Sequence, residues 1–190
     1  MKTYIIPALR MLIVMTLFTG ILFPVSMTFL SHVIFPYQAN GSLIEKNGVL
    51  IGSELIGQEF VSDKYFHSRP SGIGYNPVPS GGTNWCPTDK RLADSAKARG
   101  DKFIRQNNLS AITVVPKDML FASGSGVDPH ISPEAAVLQV ERLAAVRGFD
   151  AQKTSALKEL VRRHTEHPQF GLFGEPRVNV LNLNIALDNL

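Results

Sequence analysis

From Met11 to Leu30 the chain runs for twenty residues without a charged side chain, and most of them are Leu, Ile, Val, Met or Phe. As a helix rising ~1.5 Å per residue, this run covers roughly 30 Å, the thickness of a bilayer's hydrocarbon layer. Pro24 is tolerable inside it as a kink. Lys2 and Arg10 precede the run as they would in a cleaved signal peptide. The run is longer than the usual apolar part of such a peptide, however, and continues through Val33, Ile34 and Phe35 to Pro36 without a clear small-x-small cleavage site. The pattern favours an uncleaved anchor over residues 11–35, after a cytoplasmic N-terminus of residues 1–10. In the about twenty residues after the anchor only Lys46 is basic, so the positive-inside rule places residues 36–190 beyond the cytoplasmic face.

All 16 acidic residues follow Pro36, as do 17 of the 19 Lys and Arg, which leaves this part near +1. The isoelectric point near 9.1 therefore signals no basic surface. Nucleic acid is excluded as a partner on this ground, whereas a lipid bilayer is implied. Cys86 is the only cysteine, so no intramolecular disulfide is available and an ordinary apolar core must hold the domain together.

The elements after the anchor are few and mixed. Tyr37 to Asn47 reads as a polar connection with an Asn40-Gly41 turn, and Val49-Leu50-Ile51 opens a strand that Gly52 interrupts. Gly52 to Gly57 copies the spacing of a phosphate loop, but Gln58 and Glu59 stand where that loop needs Lys and Ser or Thr. Phe60 to Phe66 alternates weakly, and Gly72 to Pro87 is a long Gly-, Pro-, Ser- and Asn-rich region ordered by embedded aromatics. Thr88 and Asp89 cap a helix to about Asn107, with Leu92, Ala96, Phe103 and Ile104 as its apolar stripe and a mixed-charge solvated face. Ala111 to Val115 is a short β-branched strand candidate stopped by Pro116. Ser132-Pro133-Glu134 starts a helix that ends near Arg147 at Gly148, and Asp150 caps another carrying Leu157, Leu160, Val161 and His164. Val178 and Val180 suggest a strand, and Leu181 to Leu187 could continue it or become helical. The expectation is an α+β fold: one N-terminal transmembrane helix, then a single soluble domain with a small β-sheet and about three helices.

The stretch Ala122 to Pro133 concentrates Ser123, Gly124, Ser125, Gly126, Asp128 and His130 together with two prolines. A hydrolase would need G-x-S-x-G between strand and helix, where this stretch has Ala-Ser-Gly-Ser-Gly before Val-Asp-Pro, and triad side chains a few residues apart in one loop seldom reach the required geometry. Its glycine and serine amides could cradle a phosphate ahead of the helix at Pro133, a weakly specific signal. His164 and His167 do not make a zinc site without further ligands. The stretch therefore reads as a rigid element for folding and partner contact. Pro176 stiffens the turn between Glu175 and Arg177, whose charges could pair within the domain or with another chain.

Several of these stretches, taken in order, resemble one family: the C subunit of the bacterial Kdp high-affinity potassium-transporting P-type ATPase. The resemblance rests on the anchor, Tyr65 to Ser71 with Arg69 and Pro70, Tyr75-Asn76, Ser80-Gly81-Gly82-Thr83-Asn84, the Ala122–Pro133 stretch, and Gly174 to Leu181 with Glu175, Arg177 and Asn179. It implies an accessory, noncatalytic subunit in the bacterial inner membrane, with its C-terminal domain periplasmic. Its partners would be the potassium-translocating and ATP-hydrolysing subunits. The family subunit is described as a catalytic chaperone that raises the pump subunit's affinity for ATP and supports assembly. ATP, Mg and potassium are implied for the complex, with none bound firmly by this chain. The alternative is a nucleotide-binding domain that contacts the pump subunit directly. The motif residues above are expected to serve the fold or partner contact, with no catalytic, cofactor or metal role assigned.

Overall fold

The computed structural model describes residues 2–46 and 48–190, so Met1 and Asn47, the ends of two expected segments, lie outside the described residues. Two compact units divide the chain, Met1–Ser53 and Glu54–Leu190.

The first unit is dominated by the apolar run. Helix α1 (Lys2–Leu17) passes through a π-helical turn at Phe18–Leu22 into α2 (Phe23–Ile34). Proline lacks the amide for an ordinary turn, and the widened turn lies directly before Pro24. Tyr4–Ile34 is apolar enough to cross a membrane, and none of its 31 residues is buried in the protein. At ~1.5 Å per residue it would measure roughly 46 Å, longer than the hydrocarbon layer alone requires. Residues 37–46 are more ordered than a polar connection. A short helix α3 (Pro36–Ala39) and the Asn40-Gly41 turn lead into β1 (Leu43–Lys46), antiparallel to β2 (Val49–Ser53).

In the second unit the capping signals are met. Asp89 accepts the Arg91 amide to start α4 (Lys90–Gln106), and Ser132 accepts that of Ala135 to start α6 (Pro133–Arg147), with Pro133 in its first turn. Gly148 closes α6 in the left-handed region at φ 65°, and Asp150 caps α7 (Ala151–Arg163). Asn179 accepts the Asn182 amide at the start of α8 (Val180–Leu187), so Val180 is helical and the strand suggested there is shorter. Ala111 to Val115 forms no strand: a strand needs a pairing edge, and this segment is a turn and open chain with Ile112 and Val114 facing solvent. Lys117–Leu120 forms a short helix, α5.

Two brief strands absent from the sequence expectation complete the sheet. β3 (His130–Ile131) and β4 (Thr165–Glu166) flank β5 (Arg177–Asn179), both antiparallel to it. The amides of His130 and Ser132 go to carboxylates, at 3.0 Å to Asp128 Oδ1 and 2.7 Å to Asp118 Oδ2.

The core gathers Ile131, Val140, Leu143, Leu157, Val161, Val178, Leu183 and Leu187, all fully buried. Each large aliphatic side chain here contributes roughly 1.5–3 kcal/mol relative to exposure. Phe66 is also fully buried, although its segment has no regular secondary structure. Side chains take over the pairing that a sheet would provide. Asn184 accepts the Phe66 amide at 2.8 Å and donates to the Phe66 carbonyl at 3.0 Å. Gln139 does the same for His67, at 2.7 Å and 3.3 Å. Arg142 donates to the backbone carbonyls of Asp63 and Tyr65, to Gln139 Oε1 and to Asn107 Oδ1. Burial lowers the Arg142 pKa against the opposing charge of Asp63, and burial followed by the Arg142 charge lowers that of His67.

Replacing Asn184 with Leu keeps the volume and strands both backbone groups of Phe66. The expected loss is about 2–6 kcal/mol, for two buried groups at ~1–3 each, read as a lower urea midpoint of the full chain in detergent.

Candidate functional site

The residues singled out in the sequence converge on an interlocked set of loops. Ser71 Oγ donates to the Gly126 carbonyl at 2.6 Å and accepts the amides of Ile73 and Tyr75. The Tyr75 hydroxyl turns back to the Arg69 carbonyl at 2.6 Å, with Tyr75 itself at φ 58°. Burial raises the Tyr75 pKa to about 12, reinforced by the Glu59 charge and opposed by Arg69, so this hydroxyl stays a donor. Gly81 donates to Ser125 O at 2.9 Å, Ser123 to Pro70 O at 3.4 Å, and Gly57 to Val127 O at 2.7 Å. Asn76 accepts the Val78 amide within its own turn.

Gly126 is a position the loops cannot vary. Its φ is 72°, and a Cβ there would lie 2.4 Å from Ile73 Cγ1 and 2.6 Å from the Gly81 carbonyl. Gly124 differs, because a Cβ would meet nothing within 4 Å. The rigidity expected of this stretch thus rests on Gly126 by its own geometry. Gly124 matters as a neighbour: a Cβ on Gly82 would come within 3.2 Å of its carbonyl.

The charged members form one cluster. Arg69 Nη1 meets Asp128 Oδ2 at 2.6 Å, while Asp128 Oδ1 faces the His130 amide and its Nδ1 at 3.2 Å. Burial alone would raise the Asp128 pKa. The hydrogen bonds from the His130 ring and amide and from Arg69 outweigh it and hold the carboxylate at about 2.

These three residues line an open groove of about 1330 Å³ together with Lys117, Phe121, Val137, Glu175 and Arg177. Arg177 is paired within the domain, to Glu166 at 2.9 Å across β4 and β5, whereas Glu175 is exposed. The start of α6 also lines this groove, but its anion position is already taken. Asp118 accepts both the amide and the hydroxyl of Ser132, at 2.7 Å and 3.1 Å. Ser125 Oγ accepts the Val127 amide at 3.3 Å. Among the described residues no three His, Cys, Asp or Glu are grouped to hold a metal ion.

The structure does not bring every predicted residue here. Ser80 and Asn84 are exposed away from the groove lining, and Asn179 caps α8 while donating to the Glu54 carbonyl. Sequence reasoning missed the Gln139, Arg142, Asn107 and Asn184 network. Its available signal was an amide and a guanidinium three residues apart on an otherwise apolar face of α6, and an Asn inside the run Leu181 to Leu187.

The family described as KdpC, K+-transporting ATPase c chain, matches residues 5–189. The chain belongs to the KdpC family. A "Potassium-transporting ATPase KdpC subunit" of Methylococcus capsulatus is 49% identical over 187 residues, 97% of this chain and 96% of that protein. Proteins of the same name from Rhodopseudomonas palustris strain BisB18 and Gemmatimonas aurantiaca are 48% and 46% identical, covering 96% and 100% of this chain and 96% and 94% of theirs. The KdpC match takes in both the apolar helix and the interlocked loops, so the resemblance drawn from scattered motifs holds along the chain.

Two outcomes are expected. Gly126→Ala should destabilise this KdpC-family chain by about 1–3 kcal/mol or more through its left-handed φ and the clash, while Gly124→Ala stays near neutral, compared by urea unfolding. Asp128 has a folded pKa near 2, below its ordinary 3.8. Its stabilisation is therefore present above about pH 4 and lost as pH falls through the folded value. The stability gap between the protein and Asp128→Asn should narrow as pH is lowered from 6 toward 2.

Proposed function

We propose that this chain is an anchored, noncatalytic accessory subunit of an ATP-driven potassium-uptake complex in the bacterial inner membrane. One observation carries the reading: an apolar helix with no buried residue belongs to a chain that matches the K+-transporting ATPase c-chain family over residues 5–189. A single span cannot enclose an ion path, so a transport role requires partners that do. The potassium-translocating and ATP-hydrolysing subunits fill this place, with potassium, Mg and ATP bound by them.

Lys2 and Arg10 before the span, against Lys46 alone soon after it, support a cytoplasmic N-terminus and a periplasmic C-terminal domain. In that orientation the domain docks on the external side of the potassium-translocating subunit and supports assembly. Its polar loop side chains favour a docking role over chemistry, since Asp128 is engaged by both Arg69 and His130. A rise in ATP affinity of the pump subunit then reaches the nucleotide site as a coupling free energy through the membrane helices.

A C-terminal alkaline phosphatase fusion should be active, and activity only from a cytoplasmic reporter would overturn the orientation. The chain should copurify with multi-span subunits in mild detergent. Complex prepared without it should show KM for ATP raised about 5-fold or more, the lower end of ordinary coupling. Direct nucleotide binding by the isolated chain would instead favour the alternative of a nucleotide-binding domain.

A further inference from the structure

The most exposed large apolar side chains of the second unit include three on one short turn. Phe170, Leu172 and Phe173 are 92%, 81% and 68% exposed, within the stretch Pro168–Gly174 that carries no charge. Scattered apolar residues on a surface need no explanation, but a projecting cluster of three does.

The turn is a built element. Gln169 and Phe173 exchange backbone hydrogen bonds at 2.9 and 3.0 Å, Gly171 donates to Pro168 O, and Leu172 donates to Gln169 O. Phe170 is held at φ 55° and Gly171 at 72°. An aromatic residue in the left-handed region is strained, and the turn keeps Phe170 there with its ring in solvent. At the base the chemistry changes abruptly. Glu166 and Arg177 form an ion pair, and His167 and Glu175 are exposed on either side of the uncharged stretch.

We infer that the Pro168–Gly174 turn is a lipid-inserting tip that seats Phe170, Leu172 and Phe173 at the apolar boundary of a bilayer. The inference rests on reading Tyr4–Ile34 as a membrane span, which keeps the chain beside a lipid surface. The amides of Gln169, Gly171, Leu172 and Phe173 are paired within the turn, which lowers the cost of approaching an apolar phase that offers no hydrogen-bond partners. The uncharged tip and its charged base match an element that enters to a limited depth and stops at the headgroups. Binding of this kind is driven by apolar area, so it should not depend on anionic lipid or low salt.

The test uses the full chain, with Cys86→Ser, in nanodiscs of zwitterionic phosphatidylcholine. Single cysteines at Leu172→Cys, Ile112→Cys and Met15→Cys carry an environment-sensitive fluorophore, and nitroxide-labelled lipids serve as quenchers. The label at position 172 should be blue-shifted and quenched by shallow nitroxides at both low and high salt, with Phe173→Ser weakening the quenching. The label at 112, equally apolar and 90% exposed in the free chain, should stay water-like. A water-like, unquenched label at 172, or equal quenching at 112 and 172, overturns the inference. So does protection of 172 only after the partner subunits are added, which would assign the tip to a protein cleft. Quenching at 15 without quenching at 172 removes this inference alone; no quenching at 15 removes the membrane-span reading with it.

Discussion

The second unit depends on how it holds Asp63–His67. This segment crosses the core without a strand partner, yet Phe66 is fully buried, so its amide and carbonyl would go unpaired in an apolar setting. The side-chain amides of Gln139 and Asn184 supply the missing pairing from α6 and α8, and Arg142 closes the Asp63 and Tyr65 carbonyls that precede Phe66. A guanidinium can do this because it carries five donors and finds only acceptors here. The cost is a buried charge, met by hydrogen bonds rather than by a carboxylate in contact.

From that clamp the chain emerges at Arg69, and the candidate site begins. Its loops are fixed by bonds between side chains and backbone, Ser71 to Gly126 across two of them and Tyr75 to Arg69 and Ser125 to Val127 within one each. The Arg69, Asp128 and His130 cluster sits where these loops meet the groove. Loops tied down by their own side chains suit a surface that presents a fixed shape, as KdpC-family membership leads one to expect of a subunit.

Local signals in the sequence carried well. Asp89, Ser132, Gly148 and Asp150 mark helix ends because their capping chemistry involves neighbours within a few residues. The long apolar helix was legible from length and absence of charge. Strands β3 and β4, at two residues each, show no alternation to detect, and Ala111 to Val115 shows β-branched composition without an edge to pair with. The clamp was invisible for a different reason. Gln139 and Asn184 act on residues 72 and 118 positions away, and nothing in local periodicity reports such a partner. Glycine identity likewise gave no means of separating Gly126 from Gly124, since the distinction lies in Ile73 and Gly81 across the loop.

Strand β3 lies at an edge of its sheet, with the His130 and Ser132 amides held by Asp128 and Asp118. An edge with free amides is a template onto which any extended chain can zip, whether a neighbour's terminus or a second misfolded copy. Two carboxylates on these donors refuse that template, since an incoming strand would have to displace a charge for each hydrogen bond it gained. A subunit crowded among others in an assembling complex is thereby guarded against fusing its sheet to the wrong one.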